Sequence, residues 1–203
     1  MREWRNWQKK LSFSVSGNSS SGKLFRTSAA VLRMHEANRV PGAIIASMSI
    51  PWGETKGDDD TGGYHMVWPR DLVESSGGFL ALHAREDMLR ILTYLMTTQE
   101  EDGHWVQNMW LQGKPHWNGV QMDQTALPIL LIDLFRRYGT IQQGKVGRYW
   151  LTVKQALSFI VTHGPYTEQD RWERDGGLSI FTVATEIAAL LAGADFADEN
   201  GES

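Results

Sequence analysis

Apolar residues recur every three to four positions along six stretches of the chain, a spacing that puts them on one face of an α-helix. Strand patterns are scarce, and only residues 43–50 (AIIASMSI) form a convincing β-like run. The pattern therefore predicts an all-α protein. The six predicted helices are Arg26–Asn38, Arg70–His83, Arg85–Gln99, Met122–Gly139, Gly147–Gly164 and Ser179–Ala197.

The connections between these helices alternate in length. The second helix leads almost directly into the third, and the fourth reaches the fifth through a short link, whereas residues 39–69, 100–121 and 165–178 form long connections. Every second connection of an antiparallel helical series lies at the same end. We therefore expect the three long connections to meet at one face. The alternative, that they are unrecognised helices, conflicts with their Gly, Pro and Asp content.

Tryptophan is frequent, with nine residues in a chain of 203. Packing of a core does not explain why six of them fall in predicted loops. An indole offers a flat apolar face and one N–H donor, which match the C–H faces and hydroxyl rim of a sugar. Stacking on nucleobases is the alternative, and the net charge of -4 weakens it. The six are Trp52, Trp68, Trp105, Trp110, Trp117 and Trp172.

Composition excludes several classes of function. The chain has no Cys, which rules out disulfides, thiolate nucleophiles and Cys-ligated zinc. Its negative net charge gives no basic surface for nucleic acid or an anionic membrane. The opening MREWRNWQKK lacks the apolar core of a signal peptide, so no export signal is expected, and the compartment stays open. The apolar runs ALPILLIDLF and TEIAALLAGADF are shorter than a membrane span.

The first candidate chemistry lies in YHMVWPRDL, residues 64–72. Arg70 and Asp71 could face the loops and bind sugar oxygens and hydroxyls. The alternative is an ordinary helix start, with Pro69 in the first turn, Asp71 near the positive end of the helix dipole and Arg70 solvated. The residues alone do not separate these two interpretations.

The third long connection, within GPYTEQDRWERDGGLS, carries four carboxylates. Glu173 differs from the other three because it follows Trp172 and lies between Arg171 and Arg174. An indole neighbour favours a protonated carboxyl and cations favour the carboxylate; only the protonated form can act as a general acid. Glu173 is therefore a candidate acid, and the alternative is a solvated charged run before an Asp-Gly turn.

The second long connection reads EEDGHWVQNMWLQGKPHWNGVQMDQ, in which Trp alternates with Gln, Asn and His, a suitable lining for a polar ligand. Neither His104 nor His116 has a partner at metal-ligand spacing. The acidic GDDDTGG lacks the pattern of a calcium loop. We expect no cofactor and no metal, and the sequence does not support a calcium site.

Taken together, five ordered blocks resemble glycoside hydrolase family 15, the glucoamylases and glucodextranases, particularly the prokaryotic members. They are PGAIIASMSIPWGE, YHMVWPRDL, TQEEDGHWVQNMW, GKPHWNGVQMDQTALPILL and RWERDGGLSIFTVATEIAALLAGADFA, and they extend from about Arg26 to about Ala197. The resemblance implies an (α/α)6 barrel of six helical hairpins, about half of it in this chain. Residues 1–25 would be a lead-in segment and residues 26–203 the N-terminal half of the catalytic domain.

The resemblance also implies roles for individual residues. Arg174 stands where family members often carry a second acidic residue, which puts the local charge balance and the leaving-side specificity in question. The implied site consists of Glu173 as the general acid and of Tyr64, Trp68, Arg70, Asp71, Trp117, Trp172 and Arg174 in substrate binding.

The implied reaction is inverting exo-hydrolysis of α-glucosidic bonds that releases glucose from the non-reducing ends of α-glucans. Inversion requires a second carboxylate about 6.5–9.5 Å from the acid, and this general base is expected outside the chain. The chain would then be a truncated piece, inactive alone, with uncovered helix faces that favour self-association. The alternatives are a non-catalytic sugar-binding or interaction remnant and, more distantly, a phosphorylase or trehalase-like enzyme. The sequence does not choose between α-1,4 and α-1,6 linkages.

Overall fold

The computed structural model describes residues 2–11, 19–48, 64–142 and 144–202. Within these ranges the chain is helical, with one small sheet, so the predicted all-α class is confirmed. The helices are α1 (Arg2–Lys10), α2 (Ser20–Met34), α3 (Pro69–Ala81), α4 (Arg85–Thr98), α5 (Met122–Arg137), α6 (Gly147–His163) and α7 (Ile180–Glu199), and the strands are β1 (Asn108–Met109) and β2 (Pro115–Trp117).

The start of α2 differs from the prediction, whereas α3 to α7 begin within a residue of it. The predicted helix Arg26–Asn38 is observed as Ser20–Met34. It begins earlier because the Ser19 side chain accepts a hydrogen bond from the Gly22 backbone N–H at 3.0 Å, which caps the first turn. It ends earlier because the following residues turn back, with Glu36 and Ile44 forming an antiparallel bridge.

The predicted strand at residues 43–50 is wrong for the part that the structure describes. Ile44 makes a single bridge, and the Ala46 and Ser47 N–H groups donate to Met66 O (3.0 Å) and Tyr64 O (3.1 Å). This segment is therefore held beside the chain that enters α3 without forming a regular strand. The last two positions of the run, 49 and 50, lie outside the described residues. Regular pairing occurs instead in the second long connection, where β1 and β2 form an antiparallel hairpin.

The helices α2 to α7 form two rows. One row consists of α3, α5 and α7, in which α5 packs against both neighbours; α4 packs against α3, and α6 packs between α5 and α7. Gly193 permits the close approach of α6 and α7, since a Cβ there would lie 2.5 Å from Leu157 Cδ1. Each helix of the α3–α5–α7 row begins where a long connection ends. These three helix N-termini therefore share one end of the molecule.

Trp105 belongs to the hydrophobic core and not to the end where the long connections meet. It is fully buried, and its Nε1–H donates to the Leu95 carbonyl at 3.0 Å on α4. The three long connections were expected to meet at one face and to bring their six Trp residues with them; for Trp105 this expectation is wrong. Trp52 lies outside the described residues.

A charged network fastens α2 to α4. The Glu36 carboxylate accepts hydrogen bonds from Arg90 Nε (2.7 Å), Arg90 Nη2 (2.8 Å) and the Gly42 N–H (2.9 Å). Arg33 pairs with both Glu36 and Asp87. Burial opposes ionisation, but the hydrogen bonds from Arg90 and Gly42 and the charges of both arginines hold the pKa of Glu36 below its usual range.

By length and composition alone, α7 could cross a membrane, because the helix extends beyond the apolar run recognised in the sequence. Its buried face carries Thr182, Thr185 and Glu186 and packs against α5 and α6. An ionisable side chain in mid-helix is costly in a bilayer. We therefore assign α7 to the helical fold, with Ile187 and Leu191 exposed on its other face.

Candidate active site

The three long connections meet at the start of α3, α5 and α7, as the alternation of their lengths predicted. Val67, before α3, and Met109 in β1 exchange two backbone hydrogen bonds of 2.9 Å. Before α5, the Val120 N–H donates to Glu168 Oε2 at 3.3 Å, and the Met122 N–H donates to Thr167 Oγ1 at 3.2 Å. Each connection is thus tied to the next by direct contacts.

A cavity of about 540 Å³ lies at this meeting point, within the usual size of a small-molecule site. Six of the eight predicted site residues line it. Trp117 and Arg174 do not: Trp117 is half-exposed on β2, and Arg174 is exposed on the loop of Glu173. The lining consists of Ala46, Ser47, Tyr64, Trp68, Arg70, Asp71, Glu74, Arg171, Trp172 and Glu173.

The buried Trp68 joins the first connection to the third. Its Nε1–H donates to Glu173 Oε1 at 3.2 Å, and its ring centroid lies 5.3 Å from that of Tyr64. Trp68 has an extended backbone and directly precedes Pro69, the first residue of α3. Because proline fixes the chain where the helix begins, the indole is held at the rim of α3, facing the carboxylate.

The Glu173 loop is closed at its base and shaped at its tip by Asp170. Thr167 and Gly177 form an antiparallel bridge at the base. One Asp170 carboxylate oxygen accepts from the N–H groups of Trp172 (3.0 Å) and Arg174 (3.1 Å), and the Asp170 carbonyl accepts from the Glu173 N–H (2.9 Å). Glu173 has φ of 63°, in the left-handed region that non-glycine residues seldom occupy.

An aromatic wall closes the loop side of the cavity. The Arg171 guanidinium carbon lies 4.8 Å from the Trp172 ring centroid and 5.3 Å from that of Phe181. Trp172 is nevertheless 69% exposed. A cation on one face of an indole orients the ring and leaves its remaining surface available for a flat apolar ligand.

Arg70 is held by the first turn of α5, a contact that the sequence analysis did not find. Its Nε donates to Asp123 Oδ2 at 2.7 Å, and Nη2 donates to Asp123 Oδ1 at 3.2 Å and to Gln121 Oε1. The side chain is only 15% exposed, so the solvated alternative is wrong. The polar residues of VQMDQ at a helix start were the available signal, but the sequence does not indicate that they contact Arg70.

Asp71 shares the cavity with Glu74 and Glu173. Burial raises the pKa of Asp71, the two nearby carboxylates add to this effect, and the Arg70 charge opposes it. Among the described residues, no group of three or more His, Asp or Glu side chains could hold a metal ion. The site thus combines aromatic faces, two guanidinium groups and several carboxyls, which are groups that bind hydroxyl-rich ligands.

A family model, Glycosyl hydrolases family 15, matches residues 21–203. The chain belongs to this family. The match agrees with the resemblance carried by the sequence motifs and includes every cavity-lining residue.

Individual family-15 relatives give the same result. The chain is 40% identical over 194 residues to a glucoamylase from Clostridium sp. (strain G0005), which covers 96% of this chain and 26% of the relative. It is 29% identical over 129 residues to an uncharacterized glycosyl hydrolase from Methanocaldococcus jannaschii, covering 63% and 21% of the two chains. A crystal structure of a bacterial glucoamylase complexed with acarbose superposes with a TM-score of 0.84 at 36% identity, covering 99% of this chain and 28% of that one. The chain thus spans about a quarter of the length of these family members.

Proposed function

We propose that this chain supplies the glucose pocket and the general acid of a glucoamylase-like glycoside hydrolase. The reaction is hydrolysis of α-glucosidic bonds at the non-reducing ends of α-glucans, with release of glucose. One observation carries the proposal: the Glu173 carboxylate, the Trp68 indole and the Arg70 guanidinium line the same cavity. The acarbose complex of a related bacterial glucoamylase supports a sugar ligand.

The terminal glucose would lie in the cavity with its apolar C–H face against Tyr64 and Trp68. Asp71 accepts hydrogen bonds from sugar hydroxyls. Arg70 has less donor capacity, because Asp123 and Gln121 already occupy Nε and Nη2. Its Nη1, which makes only a 3.4 Å contact with Arg171 O, is the group that can turn to the sugar.

Glu173 would act as the general acid. Its carboxyl proton goes to the glycosidic oxygen while the bond from that oxygen to the anomeric carbon breaks, and the leaving sugar departs with a new hydroxyl. In an inverting reaction, water attacks the opposite face of the ring and gives its proton to a second carboxylate, about 6.5–9.5 Å from the acid. We assign that base to no described residue, so the 203-residue chain alone is expected to release little or no glucose.

Binding and hydrolysis are tested separately. Acarbose is titrated into the purified chain by calorimetry, with glucose release from maltose and isomaltose measured in parallel. We expect binding without appreciable hydrolysis. Appreciable glucose release that is lost in Glu173→Gln would contradict the expected inactivity of the chain, and absence of acarbose binding by the folded chain would contradict the pocket.

Catalysis is tested in a chimera in which this chain replaces the matching segment of the Clostridium glucoamylase. We expect the chimera to release glucose, Glu173→Gln to reduce the rate by about 10²–10⁴-fold, as removal of an acid catalyst does, and Asp175→Asn on the same loop to leave it nearly unchanged. Equal activity of the folded chimera with and without Glu173→Gln would refute the assignment of Glu173 as the general acid. The rates of glucose release from maltose and from isomaltose give the preference between α-1,4 and α-1,6 linkages.

A further inference from the structure

Gln121 lies behind the cavity lining and contacts residues on two sides of the cavity, Arg70 and the loop of Glu173. It precedes α5 and is fully buried. Its Oε1 accepts from Arg70 Nη2 on one side, and its Nε2 donates to the Asp170 carbonyl at 2.9 Å on the other. That carbonyl also accepts from the Glu173 N–H. One amide group therefore connects the guanidinium of the first connection to the loop that carries Glu173.

Neighbouring residues hold the Gln121 amide in one orientation through hydrogen bonds at both of its ends. Gln124 Nε2 donates to Gln121 Oε1 at 2.6 Å, while Gln124 Oε1 accepts from the Arg70 backbone N–H at 3.2 Å. The acceptor and donor ends of Gln121 are thus both engaged. A buried amide engaged at both its acceptor and its donor end is held in place, and loss of one partner leaves a buried polar group unpaired.

Arg70 and the Glu173 loop depend on Gln121 to different degrees. Arg70 keeps two hydrogen bonds to the fully buried Asp123 without Gln121. The loop is fixed at its base by the Thr167 contacts and by the Val120–Glu168 hydrogen bond. Nearer its tip, among the described residues, its backbone is held by Gln121 and by the longer Arg70–Arg171 contact of 3.4 Å, and the Glu173 side chain is held by Trp68. Removing the Gln121 amide should therefore loosen the loop backbone at Asp170 and leave Arg70 in place.

We propose that Gln121 is a positioning residue that fixes the Glu173 loop against Arg70. Its effect on the reaction passes through the loop and not through contact with sugar. This inference deepens the proposed function. The expected weakening of sugar binding rests on the proposed function. The expected change in the position of the Glu173 loop rests only on the hydrogen bonds of Gln121.

Gln121→Met tests this inference, because methionine keeps the length of the side chain and removes the amide. The readouts are the Trp68 indole N–H and Arg70 Nε–H signals in ¹⁵N NMR spectra, and hydrogen exchange of the Trp172 and Arg174 amides. We expect the Trp68 signal to move and both amides to exchange at least tenfold faster, with the Arg70 signal retained. Asp123→Asn should give the opposite pattern, with loss of the Arg70 signal.

Gln107→Met is the matched control, since Gln107 is also a buried glutamine but lies on the hairpin side. It should leave all three readouts unchanged. A folded Gln121→Met variant with the wild-type Trp68 signal and amide exchange overturns the proposal. Gln121→Asn, which keeps an amide but is too short to span both walls, gives the same comparison if the methionine variant does not fold. Failure of both to fold, while Gln107→Met folds, also contradicts a positioning role.

Acarbose titration separates this inference from the proposed function. In Gln121→Met we expect binding to weaken by about tenfold. A wild-type chain that binds no acarbose, with the spectroscopic changes present in Gln121→Met, refutes the proposed function and supports the positioning role. Unchanged spectra with normal acarbose binding support the proposed function and refute the positioning role.

Discussion

The indole nitrogen of Trp68 and the carboxylate of Glu173 lie 3.2 Å apart, although 105 positions separate them in the chain. The indole directly precedes α3 and the carboxylate lies on the loop before α7, so this hydrogen bond joins two of the connections that line the cavity. Because Trp68 is itself buried and followed by Pro69, the donor is fixed and the carboxylate is the partner that adjusts.

Trp68→Phe should weaken acarbose binding. The variant keeps an aromatic ring but removes the donor that positions the Glu173 side chain. The net contribution of a hydrogen bond, about 0.5–1.5 kcal/mol, limits the expected loss of affinity to about tenfold. Calorimetric titration measures the change. Trp110→Phe, on the hairpin and outside the cavity lining, serves as the control. Equal affinities of Trp68→Phe and the wild-type chain would show that the indole N–H has no part in binding.

The left-handed backbone of Glu173 predicts a measurable strain. Any side chain in this region costs about 1 kcal/mol relative to glycine. Glu173→Gly should therefore be more stable than Glu173→Ala by about that amount, while both lack the carboxylate. Urea unfolding followed by circular dichroism gives the two free energies of unfolding. Coincident unfolding curves would mean that residue 173 carries no strain.

Local pattern predicted six of the seven described helices, missing α1, and did not predict which residues pack together. The spacing of apolar residues is a property of neighbouring positions, so α3 to α7 could be located from the sequence, and the alternation of connection lengths was enough to predict where the connections meet. The pairing of Arg70 with Asp123 joins positions 53 apart, and no local rule selects one aspartate among many. Trp105 illustrates the same limit, because its burial depends on α4 packing over it.

Two adjacent glycines in α3 should respond oppositely to alanine. A Cβ at Gly77 meets nothing within 4 Å, so Gly77→Ala should stabilise the helix by about 0.5–1 kcal/mol. A Cβ at Gly78 would lie 2.6 Å from Leu32 Cδ1 on α2, and overpacking costs about 1–3 kcal/mol. Thermal and urea unfolding of both variants measure the difference. A Gly78→Ala variant as stable as Gly77→Ala would show that Leu32 moves aside without cost.

The Glu36 network predicts a pH dependence of stability. Since the folded chain holds the pKa of Glu36 below the ordinary value of 4.5, the folded state binds fewer protons than the unfolded state through this range. The contribution to stability is therefore complete above pH 4.5 and is lost as the pH falls through the folded pKa. Glu36→Gln should lower the free energy of unfolding by about 2–3 kcal/mol at pH 7 and flatten its acid dependence.

Glu86→Gln is the control for this experiment. Glu86 pairs with Lys10 at the surface, where both side chains are more than half exposed, and such pairs contribute about 0–1 kcal/mol. Unfolding by urea at a series of pH values compares the two variants. If Glu36→Gln retains the acid dependence of the wild-type chain, the network does not govern it.

The Thr167–Gly177 bridge closes the Glu173 loop at its base, and residues 168–176 project beyond it without entering the helical core. Apart from the contacts of Glu168, Asp170 and Glu173 with Val120, Gln121 and Trp68, this segment can therefore change in sequence while the helices keep their packing. Exchange of this loop between family members, with the ends placed at Thr167 and Gly177, should alter which sugars bind without changes to the helices.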